Sequence, residues 1–172
     1  IYSWTITGDS IGLINGTGSA IPSFIAMNTG NTPKTASITV TPTFTNAGLS
    51  CVGTPMTFTI SVNPNGQVNS ISSFVKCNGD LVTIDLSTLN SVGNTSYSWT
   101  NSAPSIGLTD GVGNNISFIA NNDGTQPIIA TIVVTPTYTN TGVTCTGNSS
   151  TFTITVNPKA QVNQPTNQVF CN

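Results

Sequence analysis

The sequence predicts an all-β protein made of β-sandwich domains arranged in tandem. Three observations carry that prediction: a long repeat in constant register, period-two alternation of apolar residues, and dense turn signals with no helical spacing over three turns. The repeat comes first because it sets the domain organisation. Ser37-Ile38-Thr39-Val40-Thr41-Pro42-Thr43-Phe44-Thr45-Asn46 returns 94 residues later as Thr131-Ile132-Val133-Val134-Thr135-Pro136-Thr137-Tyr138-Thr139-Asn140. Thr57-Phe58-Thr59-Ile60, Val62-Asn63-Pro64 and Cys77-Asn78 return at the same spacing. Earlier in the unit, Tyr2-Ser3-Trp4-Thr5 and Ser10-Ile11-Gly12-Leu13 match Tyr97-Ser98-Trp99-Thr100 and Ser105-Ile106-Gly107-Leu108 at a spacing of 95, so one residue has been gained or lost near Asn115. A repeat of this length is a domain in an array.

The unit runs over 64–157. Residues 1–63 then form a copy lacking its first strands, and 158–172 the start of a third. The expectation is that these residues come from a longer tandem protein; an exchange of strands between neighbouring chains is the alternative source of such boundaries. The linker Asn157-Pro158-Lys159-Ala160-Gln161-Val162-Asn163 matches Asn63-Pro64-Asn65-Gly66-Gln67-Val68-Asn69. Its shortness and its proline predict domains stacked end to end with little hinge freedom.

The strands are read from alternation. Val82, Ile84 and Leu86 share one face against Thr83 and Asp85; Tyr97 and Trp99 alternate with Ser98 and Thr100; Ile132 and Val134 with Thr131 and Val133; and Phe152, Ile154 and Val156 with threonines. This is the half-buried pattern of antiparallel sheets. Turn signals separate the runs at Asn78-Gly79, Asp110-Gly111, Asp123-Gly124, Asn140-Thr141-Gly142 and Thr146-Gly147-Asn148. Seven or so short strands per unit, with an aromatic pair in the third, fit an immunoglobulin-like sandwich. Trp99 and Trp4 are expected to fill the space between sheets, with Tyr97 and Tyr2 beside them in the core.

Charged residues make only 5% of the chain: three lysines and five aspartates, with no arginine, histidine or glutamate. Thr, Ser and Asn together make about two fifths. Phosphate binding needs several cations, so nucleic acid is not an expected partner. No apolar run is long enough to span a bilayer, so no membrane insertion is expected here. Thr-rich, Lys-poor sequence suits β-structure and resists trypsin-like proteases, which points to an extracellular setting.

The cysteines, Cys51, Cys77, Cys145 and Cys171, occupy two repeat positions. No Cys-x-x-Cys motif and no histidine accompanies them, which argues against metal. Two pairings respect the repeat. Cys77–Cys145 lies within the complete copy and leaves Cys51 and Cys171 with partners beyond these residues; Cys51–Cys77 with Cys145–Cys171 links each copy to the next. The second asks the chain to fold back after a strand, a linker and another strand, so the first is preferred, although the standard sandwich topology puts the two positions at opposite poles. A bridge closing that loop is worth about 4 kcal/mol in the loop-entropy model.

Little catalytic chemistry is available. Acid–base work needs two positioned ionisable groups, and no aspartate recurs in both copies: Asp9 faces Pro104, Asp110 faces Asn15, and Asp123 faces Thr29. A serine triad lacks its histidine. No enzyme activity and no resident cofactor are expected. Calcium is a better candidate than zinc, with Asp110, Asn114 and Asn115, or Asn121, Asn122 and Asp123, as oxygen donors in a loop. The preferred reading of those residues is turn chemistry. Lys34, Lys76 and Lys159 align with Ile128, Phe170 and Asn65, which predicts surface lysines and argues against isopeptide crosslinks.

The ordered set Cys77-Asn78-Gly79, Tyr97 to Thr100, Ile106 to Leu108, Thr135-Pro136, Cys145 to Gly147 and Phe152 to Pro158 resembles the PKD-like repeats of very large Bacteroidetes surface proteins. The resemblance covers the whole chain. It implies an immunoglobulin-like sandwich, export by the type IX secretion pathway, and a place in adhesins or other cell-surface filaments. The Asp- and Gly-rich centre of ordinary PKD domains is missing after Trp99. Asp9-Ser10-Ile11 resembles the Asp-Ser/Thr-apolar signal for O-glycosylation in Bacteroidetes and makes Ser10 the candidate; sequons stand at Asn15, Asn94, Asn115 and Asn148.

The function expected is that of a spacer: non-catalytic stalk domains of a long extracellular adhesin or surface fibre, whose partners are neighbouring repeats and, through a Thr/Val-rich edge with few charges, other rods laterally. A host or surface glycan or protein would then be met at a distal tip. The alternatives are a glycan- or protein-binding module using the loops at 107–115 or 140–148, and an accessory region of a secreted hydrolase.

Overall fold

The computed structural model describes residues 1–171 and is all-β. The first copy supplies β1 (Tyr2–Gly8), β2 (Gly16–Gly18), β3 (Lys34–Asn46), β4 (Leu49–Val52) and β5 (Met56–Val62). The second supplies β6 (Phe74–Cys77), β7 (Leu81–Asp85), β8 (Asn94–Asn101), β9 (Gly111–Val112), β10 (Asn115–Ile119), β11 (Ile128–Asn140), β12 (Val143–Thr146) and β13 (Ser150–Asn157), with a single 3-10 turn at Pro104–Ile106.

In the first copy β3 is the axis. β1 pairs antiparallel along one side, from Tyr2↔Pro42 to Gly8↔Ala36, and β5 and then β4 pair along the other. The break between them falls at Pro42, whose carbonyl accepts Gly53 N–H at 2.8 Å. In the second copy β11 takes the same part, with β13 and β12 beside it and Pro136 O accepting Gly147 N–H at 2.9 Å. Proline cannot donate to the ladder, so a strand change at that residue loses nothing. Each long strand turns back through a two-residue hairpin with positive φ at both central residues, Ala47-Gly48 and Thr141-Gly142, the backbone that suits the twist of a tight β-turn.

The second copy adds what the first does not have. β6 lies parallel to β13, from Ile154↔Phe74 to Asn157↔Cys77, and β7 pairs with β10 as a separate two-stranded sheet. Alternate residues of β7, β10, β11 and β13 are buried, among them Val82, Ile84, Ile116, Phe118, Ile132, Val134, Phe152 and Ile154. The rings of Phe74 and Phe152 stack with centroids 6.4 Å apart. This is the all-β sandwich that the alternation predicts.

By compactness the chain falls into two units. One comprises Ile1–Asn69 with Ser87–Tyr97 and Thr135–Ser149; the other comprises Ser70–Leu86, Ser98–Val134 and the stretch from Ser150 onward. The first unit has a core of Trp4, Ile11, Leu13, Ala36 and Ile38.

Trp4, Trp99 and Tyr97 are buried as expected, but Tyr2 is 45% exposed. The difference has a local cause. Tyr2 lines a shallow apolar groove with Val40, Pro42, Met56 and Phe58 that stays open to solvent, whereas Tyr97 is enclosed. The Cys77–Cys145 bridge is not formed: Cys51, Cys77, Cys145 and Cys171 are all free, with Cys145 half-buried and the others exposed. Strand register keeps the two thiols on different neighbours. Cys77 stands opposite Asn157 of β13, and Cys145 opposite Tyr138 of β11.

Candidate functional site

The residues that recur in both copies are spent on internal structure, and two constellations show how. Trp4 Nε1 donates to Ile14 O at 2.9 Å, and Trp99 Nε1 to Thr109 O at 3.1 Å. Two residues after each carbonyl comes a glycine over which the indole lies; a Cβ on Gly16 would stand 2.6 Å from Trp4 Cζ2, and one on Gly111 2.6 Å from Trp99 Cζ2. Between carbonyl and glycine sits Asn15 or Asp110. Asn15 Oδ1 accepts Ile6 N–H and Asp110 Oδ1 accepts Asn101 N–H, both at 2.7 Å. Asp110 is therefore the acidic version of a bracing position.

The second constellation is an asparagine latch. Asn28 Nδ2 donates to Thr32 O and Val62 O, both at 2.8 Å, while its Oδ1 accepts Gly30 N–H at 2.9 Å. Asn122 repeats all three bonds, to Gln126 O at 2.8 Å, to Val156 O at 2.7 Å and from Gly124 N–H at 3.0 Å, and is almost completely buried. The latch closes the loop before the long strand onto the end of the last strand. Sequence reasoning placed Asn122 among calcium donors and overlooked Asn28. The signal available was Asn-x-Gly at the same register in both copies.

The other candidate oxygens are similarly engaged. Asn115 Nδ2 donates to Asp85 Oδ1 at 2.6 Å, Asp80 Oδ2 accepts Cys77 N–H at 2.9 Å, and Asn121 Nδ2 reaches Ser105 O at 3.4 Å. Asn114 gives its backbone carbonyl to Leu86 N–H at 2.9 Å, and Asp123 Oδ1 lies 3.5 Å from Asn78 Nδ2. Among the described residues no three His, Cys, Asp or Glu side chains gather. Ser10 is exposed just past β1. Its neighbour Asp9 accepts Thr35 N–H through Oδ2 at 2.8 Å, a closure that Ser102 Oγ performs for Thr131 N–H in the second copy at the same distance. Lys34 and Lys76 are half-buried in β3 and β6, and Lys159 is exposed.

The two candidate loops differ. Loop 107–115 begins at Gly107, in a left-handed conformation, and is braced by Asn101, whose Nδ2 donates to Leu108 O at 2.7 Å. Loop 140–148 is engaged with the first linker. Asn140 Nδ2 donates to Asn63 Oδ1 at 3.1 Å, Asn63 Nδ2 to Asn140 O at 3.2 Å, and Gly66 N–H to Cys145 O at 3.2 Å. Gly66 and Gly147 meet backbone to backbone, with no room for a Cβ on either. Pro64 is fully buried in this junction. Gln67 completes it, donating through Nε2 to Gly30 O at 3.1 Å and through its backbone N–H to Asn90 Oδ1 at 2.7 Å. A cleft of about 450 Å3 opens beside it, lined by Asn28, Asn65, Gln67, Asn69 and Asn148. Most of its amides are already committed, Asn69 Nδ2 to Ser87 Oγ at 2.8 Å included.

Tyr138 is buried with its hydroxyl donated to Val92 O, and burial raises its pKa above the ordinary phenol value, with the Cys145 thiol adding to the shift. Val92 has a φ of 59° and Gly93 of 104°, so the segment bends sharply to present that carbonyl. In the first copy the same position is Phe44, 70% exposed. No curated protein matches the chain. The model of the PKD-like domain matches residues 75–160, half of the sequence, from the middle of β6 to just past β13. With its sandwich, its buried tryptophan and that match, the chain belongs to the PKD-like domain family.

Proposed function

We propose that these repeats are non-catalytic spacer domains of a long extracellular adhesin or surface fibre, of the kind that Bacteroidetes export by the type IX pathway. The observation that carries the reading is the fate of the recurring polar residues. Asn28 with Asn122, and Asn15 with Asp110, are consumed in closing loops onto strands. A repeat selected for reach and toughness would keep such residues and vary the rest. The junction around Pro64 and Gly66 fits the same task, because a buried linker transmits load without a free hinge. The low charge and the Thr-rich surface suit a fibre outside the cell.

Electron microscopy of the parent molecule released from its cell surface tests this. A thread of evenly spaced beads, each about 40 Å long as a sandwich of this size requires, is the expected result. A compact particle of ordinary enzyme size would overturn it and favour an accessory role beside a catalytic domain.

A further inference from the structure

Three Asn-Gly pairs occur in the chain, at Asn15-Gly16, Asn65-Gly66 and Asn78-Gly79. Such a pair can close on itself, because glycine has no Cβ to keep its nitrogen away from the preceding side-chain amide. Whether it does so depends on how both partners are held. Asn15 Oδ1 is engaged by Ile6 N–H at 2.7 Å. Asn78 is half-buried, and Gly79 N–H donates to Ala120 O at 2.7 Å. Asn65 differs from both. It is exposed on the cleft beside the linker, and among the described residues its side chain has no hydrogen-bond partner. Gly66 N–H donates to Cys145 O at 3.2 Å, a longer bond than that of Gly79.

The main chain around Asn65, by contrast, is firmly held. Asn90 grips it at both ends: Nδ2 donates to Asn65 O at 3.1 Å, and Oδ1 accepts Gln67 N–H at 2.7 Å. Between the two bonds lies Gly66, buried, where a Cβ would stand 2.7 Å from Pro136 O. Asn90, Pro136 and Cys145 all come from the second copy, and together with the linker they belong to one compact unit. The span from Asn65 O to Gln67 N–H therefore has no slack for an added main-chain atom. The linker that follows has Lys159-Ala160 at this register and lacks the pair.

We infer that Asn65 is a self-modification site, where the chain converts its own asparagine to isoaspartate and thereby frees the linker from Asn90. Gly66 N gives up its proton and attacks Asn65 Cγ; the N–Cγ bond forms, the Cγ–Nδ2 bond breaks, and ammonia leaves with that proton. Water from the cleft then opens the five-membered imide. Opening at one carbonyl gives aspartate on the original main chain; opening at the other routes the main chain through Cγ and gives isoaspartate. No oxidant or further reactant takes part. Isoaspartate inserts one carbon into the main chain before Gly66 and leaves a carboxylate there, so the two Asn90 bonds cannot both be kept. The same reaction at Asn15 would be silent in its aspartate form, since Asp110 makes the equivalent bond to Asn101 N–H at 2.7 Å. The inference does not rest on the spacer reading, because it needs only the linker and Asn90.

The test incubates the full 172-residue chain at mildly alkaline pH under reducing conditions, with a urea-unfolded sample beside it, and maps deamidation and isoaspartate by peptide mass spectrometry. Relative to the unfolded rates, Asn65 in the folded chain converts about fivefold faster than Asn15 or Asn78, the ratio set by one neutral hydrogen bond holding a reacting group. Asn65→Gln, whose longer side chain closes a ring far more slowly, loses modification in the linker and keeps the fold. Hydrogen exchange reads the consequence: in the isoaspartate form the Gln67 amide exchanges about tenfold faster than in the parent chain, while the amides of β3 stay protected. Asn15 or Asn78 converting as fast as Asn65 in the folded chain overturns the inference, as does a linker that stays unmodified while the unfolded sample reacts. So does an isoaspartate form whose Gln67 amide is as protected as before.

Discussion

Single residues decide the packing of this protein where glycine meets tryptophan and where asparagine replaces water. The Trp99 indole lies on Gly111 so closely that any Cβ collides with the ring. Gly111→Ala should therefore destabilise the fold by about 2 kcal/mol, the cost of overpacking a filled site. Chemical denaturation followed by tryptophan fluorescence measures it, and Gly142→Ala, where a Cβ meets nothing within 4 Å, separates packing from the penalty of a positive φ. Asn122 raises the converse case. Removing its amide strands Val156 O, Gln126 O and Gly124 N–H without partners in a site closed to water. Asn122→Ala should cost about 3 kcal/mol, because buried groups left unpaired lose their full hydration. A cost below about 1 kcal/mol in urea titration would mean that water reaches the latch.

At the scale of elements, the same sequence takes two structures. Ser117-Phe118-Ile119-Ala120 is largely strand β10, paired with β7, while the identical Ser23-Phe24-Ile25-Ala26 forms no strand. Intrinsic propensity cannot separate them; among the described residues β7 supplies a ladder to the second segment alone. Hydrogen exchange should therefore protect the amides of β10 well beyond those of 23–26, and equal protection would show that the first segment is held by something other than strand pairing. This example also marks what could be read in advance. Alternation located β7, β8, β11 and β13, because a half-buried sheet writes its faces into every second residue. The burial of Trp4 and Trp99 was legible for the same reason, reinforced by the repeat. Tyr2 was not, since its exposure depends on the open groove it lines and not on its own strand. Nor could spacing reveal which thiols meet, because register with a neighbouring strand, Cys77 with Asn157 and Cys145 with Tyr138, sets a cysteine's surroundings. The Asn latch was visible as a repeated Asn-x-Gly but was indistinguishable from an ordinary turn until Val156 O came within reach.

For the whole molecule, with a net charge of only −2 and no histidine, the alkaline limb is where stability should respond to pH through the tyrosines. Burial raises the pKa of Tyr138, and the nearby Cys145 thiol raises it further; burial likewise raises that of Tyr97, partly offset by the hydrogen bond to Thr88. Above the ordinary phenol value of about 10 the unfolded chain has released protons that the folded chain still holds. Stability therefore falls as pH rises, because its slope follows protons bound in the unfolded state minus those bound in the folded state. The contribution is complete below about pH 10 and is lost as pH climbs through the raised folded values. Melting temperature followed upward from about pH 9 should show a plateau and then a decline. Tyr138→Phe sharpens the test: it forfeits the bond to Val92 O, at a cost of about 1 kcal/mol near neutrality, and it removes one of the two titrations, so the decline should be shallower than in the parent chain. An unchanged alkaline slope in that variant would assign the loss of stability to other groups, and a parallel titration of Tyr97→Phe would then show whether either buried phenol contributes.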